Sequence, residues 1–374
     1  MAKITVLGSG LVGNVIAQDL ATHHFVKVVD INEQSLKKFS GKKNITTLKA
    51  DVTDEKQLKS AIQDADLVVT ALPGFMAFQV LKSVITFGKN VADISFYPED
   101  ALNLNDLARE HNCTIIVDCG VAPGMSNFLL GYHSKQMQVE EFVCYVGGLP
   151  LERKFPFEYK APFSPVDVIE EYTRPARLKE NGKIITKHAL SELEMIDFDG
   201  IGTLEAFNTD GLRSLLYTMN VPNMKEKTLR YPGHVKLIQA LKTTGFFDDK
   251  EIIINDKKIK PIEVTTHLLK EIWKLHPNDE EFTIMRNIIK GVENGKPVTY
   301  TYDLFDRYDK QTGFSSMART TGFTCSAMAH LILENKFNPK GVFPPELVAT
   351  NKDIFDFVMD YLKERNVNYE VKKD

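Results

Sequence analysis

No stretch of this 374-residue chain approaches the roughly 18 consecutive apolar residues that a membrane-spanning helix needs. Nor does a positively charged n-region or a small-residue cleavage site precede the first strand-like run, which begins at Lys3. Cysteine is scarce, and Cys113, Cys119, Cys144 and Cys325 form no CxxC pair and no metal-like spacing. His23 and His24 are adjacent, point apart and make a poor metal pair. These absences set aside a membrane span, a disulfide framework and a metal site, and the expectation is a cytoplasmic protein with reduced thiols. An excess of one charge is also lacking: 46 Lys and Arg face 50 Asp and Glu, for a formal net charge of −4. That balance gives no electrostatic footing for nucleic acid or for an anionic membrane as a partner. What remains, 43% hydrophobic and 26% charged residues without internal repeats, is the composition of a globular protein long enough for two or three domains.

From Lys3 to about Cys119, short apolar runs alternate with helical stretches. The runs are Ile4–Leu7, Val26–Val29, Ile45–Leu48, Leu67–Ala71, Asn90–Ile94 and Thr114–Val117. Four or five nearly continuous apolar residues are what a strand buried on both faces of a parallel sheet requires. Helices are expected over Leu11–Thr22 and Glu55–Gln63, with Thr53 and Asp54 suited to capping the second. The alternation predicts an α/β fold, a Rossmann doubly wound parallel sheet. After Gly120 the texture changes to longer strands and Pro- and Tyr-rich loops, with a hairpin expected over Ile252–Lys260. From Thr321 the pattern is helical again, over Phe323–Glu334 and Asp353–Arg365. The expected division is residues 1–122 as the dinucleotide-binding domain, 123–320 as an inserted α+β substrate domain, and 321–374 as C-terminal helices that return to the first domain.

Gly8-Ser9-Gly10-Leu11-Val12-Gly13 follows a buried strand and opens a helix, the context in which GxGxxG binds a dinucleotide. Gly8 allows the tight turn, Gly10 lets backbone approach the pyrophosphate, and Gly13 lets helix and sheet pack closely. Asp30 ends the second strand 17 residues after Gly13, where a carboxylate accepts hydrogen bonds from the ribose hydroxyls and repels a 2′-phosphate. Ile31 and Asn32 follow it with no adjacent arginine, so NAD is expected over NADP. Asp51 and Val52 are placed beside the adenine, although a turn or capping role for Asp51 stays open. Ala71, Leu72 and Pro73 end the fourth strand, and Asp93 and Ser95 end the fifth, so both segments are expected to line the nicotinamide half of the cleft.

With those residues in place, further blocks carry a resemblance. They are Asp118-Cys119-Gly120-Val121-Ala122-Pro123-Gly124-Met125-Ser126-Asn127, Val146-Gly147-Gly148-Leu149-Pro150, and Glu171-Tyr172-Thr173-Arg174-Pro175-Ala176-Arg177. Leu204–Arg213, Thr228–His234, Thr320–Cys325 and Gly341–Glu346 continue it. In these blocks the chain resembles the saccharopine dehydrogenase family, and within it the lysine ε-dehydrogenases. The resemblance implies a Rossmann domain completed by C-terminal helices, an inserted catalytic and dimerisation domain, and a homodimer. It also implies NAD-dependent oxidation of the ε-amine of L-lysine to 2-aminoadipate 6-semialdehyde and ammonia. One departure is Ala122, where the saccharopine reductases carry an aspartate before Pro-Gly, and it argues against their acid–base assignment. Saccharopine as substrate, and a non-catalytic NAD-binding role, remain as alternatives.

Oxidising such an amine requires it neutral, so a base must accept its proton, and water must then attack the iminium with general-base help. Asp118, at the end of the sixth strand, and His234 are the candidate catalytic groups, although each could instead fix a loop or a helix start. The α-carboxylate calls for a bidentate arginine, first Arg230 and then Arg174 or Arg213. Glu171 or Asp210 could pair with the α-ammonium, and Phe96, Phe163 and Tyr231 could wall the aliphatic stem. Gly148 and Thr209 complete the candidate substrate set. Cys119 lies near the cleft without a histidine in its sequence neighbourhood, which speaks against nucleophilic catalysis.

Overall fold

The apolar runs at the N-terminus become six strands of one sheet. They are β1 (Lys3–Leu7), β2 (Phe25–Asp30), β3 (Ile45–Lys49), β4 (Leu67–Thr70), β5 (Val91–Asp93) and β6 (Thr114–Ile116) in the computed structural model, which describes residues 1–162, 165–276 and 279–374. Their spatial order is β3-β2-β1-β4-β5-β6, and a seventh strand, Gly341–Phe343, joins beyond β6. Every pairing is parallel, and the order reverses between β1 and β4. β4, β5 and β6 are wholly buried. β3 departs from the expected burial: Thr46, Thr47, Leu48 and Lys49 are exposed, because an edge strand with this composition is packed less than a central one. The helix Glu55–Ile62 starts on Asp54, whose carboxylate accepts from the Gln57 amide, and buries Leu58, Ala61 and Ile62. Its i, i+3, i+4 spacing puts those three on one face, so Leu58→Ala costs about 2–5 kcal/mol by leaving a cavity.

The C-terminal helices Ser316–Leu333, from Ala318 onwards, and Lys352–Glu364 belong to the same compact unit as this sheet. Gly322 allows the first of them to lie against the glycine-turn helix Leu11–Leu20, since a Cβ there would stand 3.0 Å from Val15. Asp19 of that helix accepts Arg365 Nε at 2.7 Å and the Tyr361 hydroxyl at 2.7 Å.

That unit comprises Met1–Gln138, Tyr217–Met219 and Ala318–Tyr369, and the second comprises Val139–Leu216, Asn220–Met317 and Glu370–Asp374. The first compact unit thus runs on past residue 122 to Gln138. The helix Met125–His133 stays with the first unit because Gly131 meets the backbone of Glu346, and Asn127 Nδ2 donates to Glu346 at 3.1 Å. The last residues also depart from the expected division. The strand Tyr369–Lys373 extends the second unit's sheet, where Asp374 and Thr299 exchange backbone hydrogen bonds at 2.9 and 3.0 Å.

The second unit is built on β7 (Gln138–Pro150), β8 (Ala176–Glu180), β9 (Lys183–Lys187), β10 (Glu194–Phe198), β11 (Gly202–Asn208), β12 (Asn223–Arg230), β15 (Glu281–Glu293) and β16 (Lys296–Arg307), with a separate hairpin of β13 (Ile252–Ile254) and β14 (Lys257–Ile259). The order is β10-β11-β12-β7-β15-β16, β12 runs parallel to β7, and β15 and β16 form a long antiparallel ribbon. Asn255 and Asp256 at φ 47° and 62° turn the hairpin, as two left-handed residues do in a tight two-residue loop. Because side chains alternate across a strand, Ala206 and Leu229 face one core, with Leu149, Tyr231 and Ile284. Phe207 faces another, with Tyr159, Tyr172, Val235 and Trp273.

Candidate functional site

In the first unit the glycine turn is shaped by contacts that a side chain would break. Gly8 has φ +101°, and a Cβ on it would lie 2.2 Å from the Ala71 carbonyl oxygen. A Cβ on Gly13 would lie 2.2 Å from the Gly8 carbonyl oxygen. Gly10 differs: nothing stands within 4 Å of its Cβ position, so its backbone faces open space. No side chain caps the N-terminus of Leu11–Leu20, and its first turn carries no acid. An open glycine before an uncapped helix start fits a dinucleotide pyrophosphate, which such a helix end attracts through its amides and dipole.

Asp30 ends β2 beside this turn. Its Oδ2 accepts the Ser9 amide at 2.8 Å and the Ser9 hydroxyl at 2.6 Å, and its Oδ1 accepts the Asn32 amide at 2.8 Å. Ile31 is exposed next to it. Ser35 and Lys38, which carry no sequence motif, complete the group. The Ser35 hydroxyl is 2.5 Å from that of Ser9, and Lys38 Nζ donates to the Ser9 carbonyl. Asp51 makes a turn: its Oδ1 accepts the Thr53 amide at 2.9 Å and hydroxyl at 2.6 Å, and these bonds hold its carboxyl below the ordinary range. Val52 is in the core.

At the switch point, the Leu72 amide donates to Ser95 Oγ at 3.2 Å, Pro73 precedes the helix Gly74–Thr86, and Gly74 packs on the Phe96 carbonyl. Asp93 is buried, accepts the Thr70 hydroxyl at 2.5 Å and the Ser95 amide at 2.9 Å, and burial pushes its carboxyl up to about 6. Asp118 is buried in left-handed backbone at φ 53°, a conformation that aspartate adopts more readily than most non-glycine residues. The loop it opens folds tightly, since the Met125 amide returns to the Gly120 carbonyl at 3.0 Å. Cys119 is fully buried and burial holds its thiol far up, so it is inert as a nucleophile. The rings of His23 and His24 both lie near His330, at 6.3 and 5.0 Å, yet no metal-holding group occurs among the described residues. No helix among the described residues is long and apolar enough to cross a membrane.

In the second unit the structure brings Arg230, Glu171 and His234 together and adds residues that the sequence did not flag. Arg230 ends β12, is almost wholly buried, and donates from Nη2 to Glu171 at 2.7 Å, from Nε to the Tyr172 hydroxyl at 3.1 Å, and from Nη1 to the Leu229 carbonyl at 2.9 Å. Its guanidinium lies 4.3 Å from the centre of the Tyr159 ring. Glu171 keeps 26% of its side chain exposed, against 3% for Arg230, so the pair opens towards solvent on its acidic side. The Tyr172 hydroxyl and His234 Nε2 are 2.9 Å apart, and His234 Nδ1 is 2.9 Å from the Phe157 carbonyl. Since that carbonyl can only accept, Nδ1 carries the proton and Nε2 accepts from Tyr172. Burial, and then the Arg230 charge, lower His234 to about 3, so it is neutral with both nitrogens occupied.

Other candidates stand apart from this cluster. Tyr231 faces the opposite core, as the residue after Arg230 must, and its hydroxyl donates to the Pro150 carbonyl at 2.9 Å. The Thr209 hydroxyl pairs with that of Thr228 at 3.0 Å. Gly148 makes room for Pro162 and Met317. Arg174 pairs with Glu170, and Asp210 binds Arg177 through both oxygens at 2.9 Å. Phe163 lies outside the described residues.

Residues 4–116 match the saccharopine dehydrogenase NADP binding domain, and residues 120–367 match the saccharopine dehydrogenase C-terminal domain. The saccharopine dehydrogenase [NADP(+), L-glutamate-forming] of Saccharomyces cerevisiae is 23% identical, over 98% of this chain and 99% of its own length. The mouse mitochondrial alpha-aminoadipic semialdehyde synthase is 22% identical over 98% of this chain and 47% of its own, so the chain spans about half the length of that relative. A carboxyaminopropylagmatine dehydrogenase from Synechocystis is 22% identical over 92% of each chain. Among solved structures, apo saccharopine dehydrogenase (L-Glu forming) from S. cerevisiae superposes with a TM-score of 0.81 at 20% identity over 100% of both chains, which shows a shared fold. The two family domains, matched in order, account for almost every residue, and the chain belongs to the saccharopine dehydrogenase family.

Proposed function

We propose that the protein is an NAD-dependent oxidoreductase acting on the CH–NH2 group of an amino acid, with the ε-amine of L-lysine as substrate and 2-aminoadipate 6-semialdehyde and ammonia as products. The observation that carries the reading is the Arg230–Glu171 pair at 2.7 Å, a buried cation beside a partly exposed acid. A zwitterionic amino-acid head group can exchange into such a pair, its carboxylate taking the guanidinium and its ammonium the glutamate. The relatives' names, all dehydrogenases or an aminoadipic semialdehyde synthase, support nitrogen-bearing amino-acid-like substrates. Asp30 supports NAD, although the yeast relative is named for NADP(+).

In this proposal Gly8–Gly13 cradle the pyrophosphate, Asp30 holds the ribose, and the segments at Leu72 and Ser95 flank the nicotinamide. Bound oxidised nicotinamide supplies a hydride acceptor for the carbon that bears the amine. Asp118 takes the amine proton and assists the attack of water. His234 was the second candidate base; neutral and occupied on both nitrogens, it instead positions Tyr172 and thereby Arg230. Assembly as a homodimer through the second unit completes the proposal.

The second reading is saccharopine as substrate, favoured by the yeast relative's name. Purified protein is incubated with NAD or NADP and with L-lysine or saccharopine, while absorbance of reduced nicotinamide and released ammonia are followed. Turnover of lysine with ammonia release is the expected result. Turnover of saccharopine alone establishes the second reading, and tight NAD binding with no turnover across an amino-acid panel overturns both.

A further inference from the structure

The acidic side of the glycine turn contains a cation that no dinucleotide motif accounts for. Lys38 sits in the short 3-10 turn Lys37–Phe39, after the helix Glu33–Leu36 that follows β2. Its ammonium folds back to the carbonyl of Ser9, the residue whose amide and hydroxyl both bind Asp30. Lysine and aspartate therefore close on one turn residue from two sides. The ammonium is partly desolvated there: burial lowers Lys38 from its ordinary range, and the Asp30 charge opposes the shift. Ser35, whose hydroxyl meets that of Ser9 at 2.5 Å and donates to the Asn32 carbonyl at 2.7 Å, is a third polar group on the same face.

A ribose diol needs an acceptor, which Asp30 provides. A 2′-phosphate needs a cation and donors, and dinucleotide folds usually place an arginine beside the acid position for that purpose. Here positions 31 and 32 are Ile and Asn, and the cation arrives from position 38 instead. We propose that Lys38 is a latent 2′-phosphate-binding residue, so that Asp30 alone excludes NADP and its removal converts the site to one that binds NADP through Lys38. The proposal rests on the reading of Asp30 as the NAD-selecting acid. The blander role for Lys38 is a strap that shapes the glycine turn equally for every dinucleotide.

The test uses ligands without nicotinamide, so that binding is read apart from turnover. ADP-ribose and 2′-phospho-ADP-ribose are titrated calorimetrically into the full chain, the Asp30→Ser variant, the Lys38→Met variant and the double variant, at two salt concentrations. The full chain is expected to prefer ADP-ribose, and Asp30→Ser to shift the affinity ratio towards the phosphorylated ligand by about tenfold or more, the worth of one charge-assisted phosphate contact. Adding Lys38→Met to Asp30→Ser is expected to reverse that shift and to flatten its salt dependence. If Lys38→Met weakens both ligands by the same factor, or leaves the ratio in the Asp30→Ser background unmoved, the proposal fails. If the unaltered chain prefers the phosphorylated ligand, the NAD reading fails, and the double variant still decides whether Lys38 binds the phosphate.

Discussion

The Tyr172 hydroxyl stands 2.9 Å from Nε2 of His234 and accepts Arg230 Nε–H at 3.1 Å through the same oxygen. The donors run in one direction: guanidinium to phenol, phenol to imidazole, imidazole to the Phe157 carbonyl. Every hydrogen on that path is assigned by its neighbours, so the arginine is held in one orientation.

Tyr172→Phe removes the middle link and leaves Arg230 Nε and His234 Nε2 without that partner in a dry core. Each buried polar group so stranded costs about 1–3 kcal/mol. Urea unfolding of the variant should show a loss in that range, and the KM for the amino acid should rise more than kcat falls.

Arg230→Lys keeps a charge but loses the fork that reaches Glu171, Tyr172 and the Leu229 carbonyl together. Amino-acid affinity is expected to fall by about tenfold or more. ADP-ribose affinity, measured in parallel by calorimetry, should fall much less. Equal losses for both ligands would show damage to the whole fold.

Two buried groups give opposite pH dependences. His234 is lowered to about 3 in the folded chain, while unfolded histidine titrates near its ordinary value of 6.5. The unfolded state therefore binds the extra proton first, and stability drains away as pH falls from about 6.5 towards 3, by about 1.4 kcal/mol per pH unit at most. Asp93 is raised to about 6 from 3.8, so the folded state holds its proton longer, and that contribution is present below 3.8 and lost as pH rises through about 6. Urea midpoints measured from pH 4 to 8 should fall on acidification less steeply in His234→Gln, and more steeply in Asp93→Asn, than in the unaltered chain.

The three glycines of the turn separate by what surrounds them. Gly13→Ala forces a methyl to within 2.2 Å of the Gly8 carbonyl oxygen and should lower stability by about 1–3 kcal/mol. Gly10→Ala meets no protein atom within 4 Å, so its melting temperature should stay close to that of the parent while its NAD affinity drops. Thermal unfolding with and without NAD distinguishes the two.

Most of the first unit was legible because its signals are local. A run such as Leu67–Ala71 is apolar enough to fix a buried strand by itself, and GxGxxG is read within six residues. β3 was misjudged because Ile45–Leu48 does not say whether a strand is central or at the edge. That helix Met125–His133 packs with the first unit is not legible in the sequence, because Gly131 gives no sign of Glu346, over two hundred positions later. The second-unit cluster was half legible. Arg230, Glu171 and His234 suggested themselves by chemistry, but Tyr172, 58 residues from Arg230 and 62 from His234, reads in sequence as an ordinary helical aromatic. Lys38 was missed for the same reason, since a flexible lysine eight positions past Asp30 has no periodicity that ties it to Ser9.

The strand Gly341–Phe343 beside β6 also has a consequence in time. Thr114, at the start of β6, donates its hydroxyl to the carbonyl of Pro339, 225 residues further along the chain. A ribosome adding about 5–20 residues per second takes roughly 10–45 s to cover that interval. Throughout it the nascent sheet presents β6 as an open edge while the whole intervening unit is being synthesised. For that interval the unpaired edge is a place where another strand can pair before the chain's own last strand arrives.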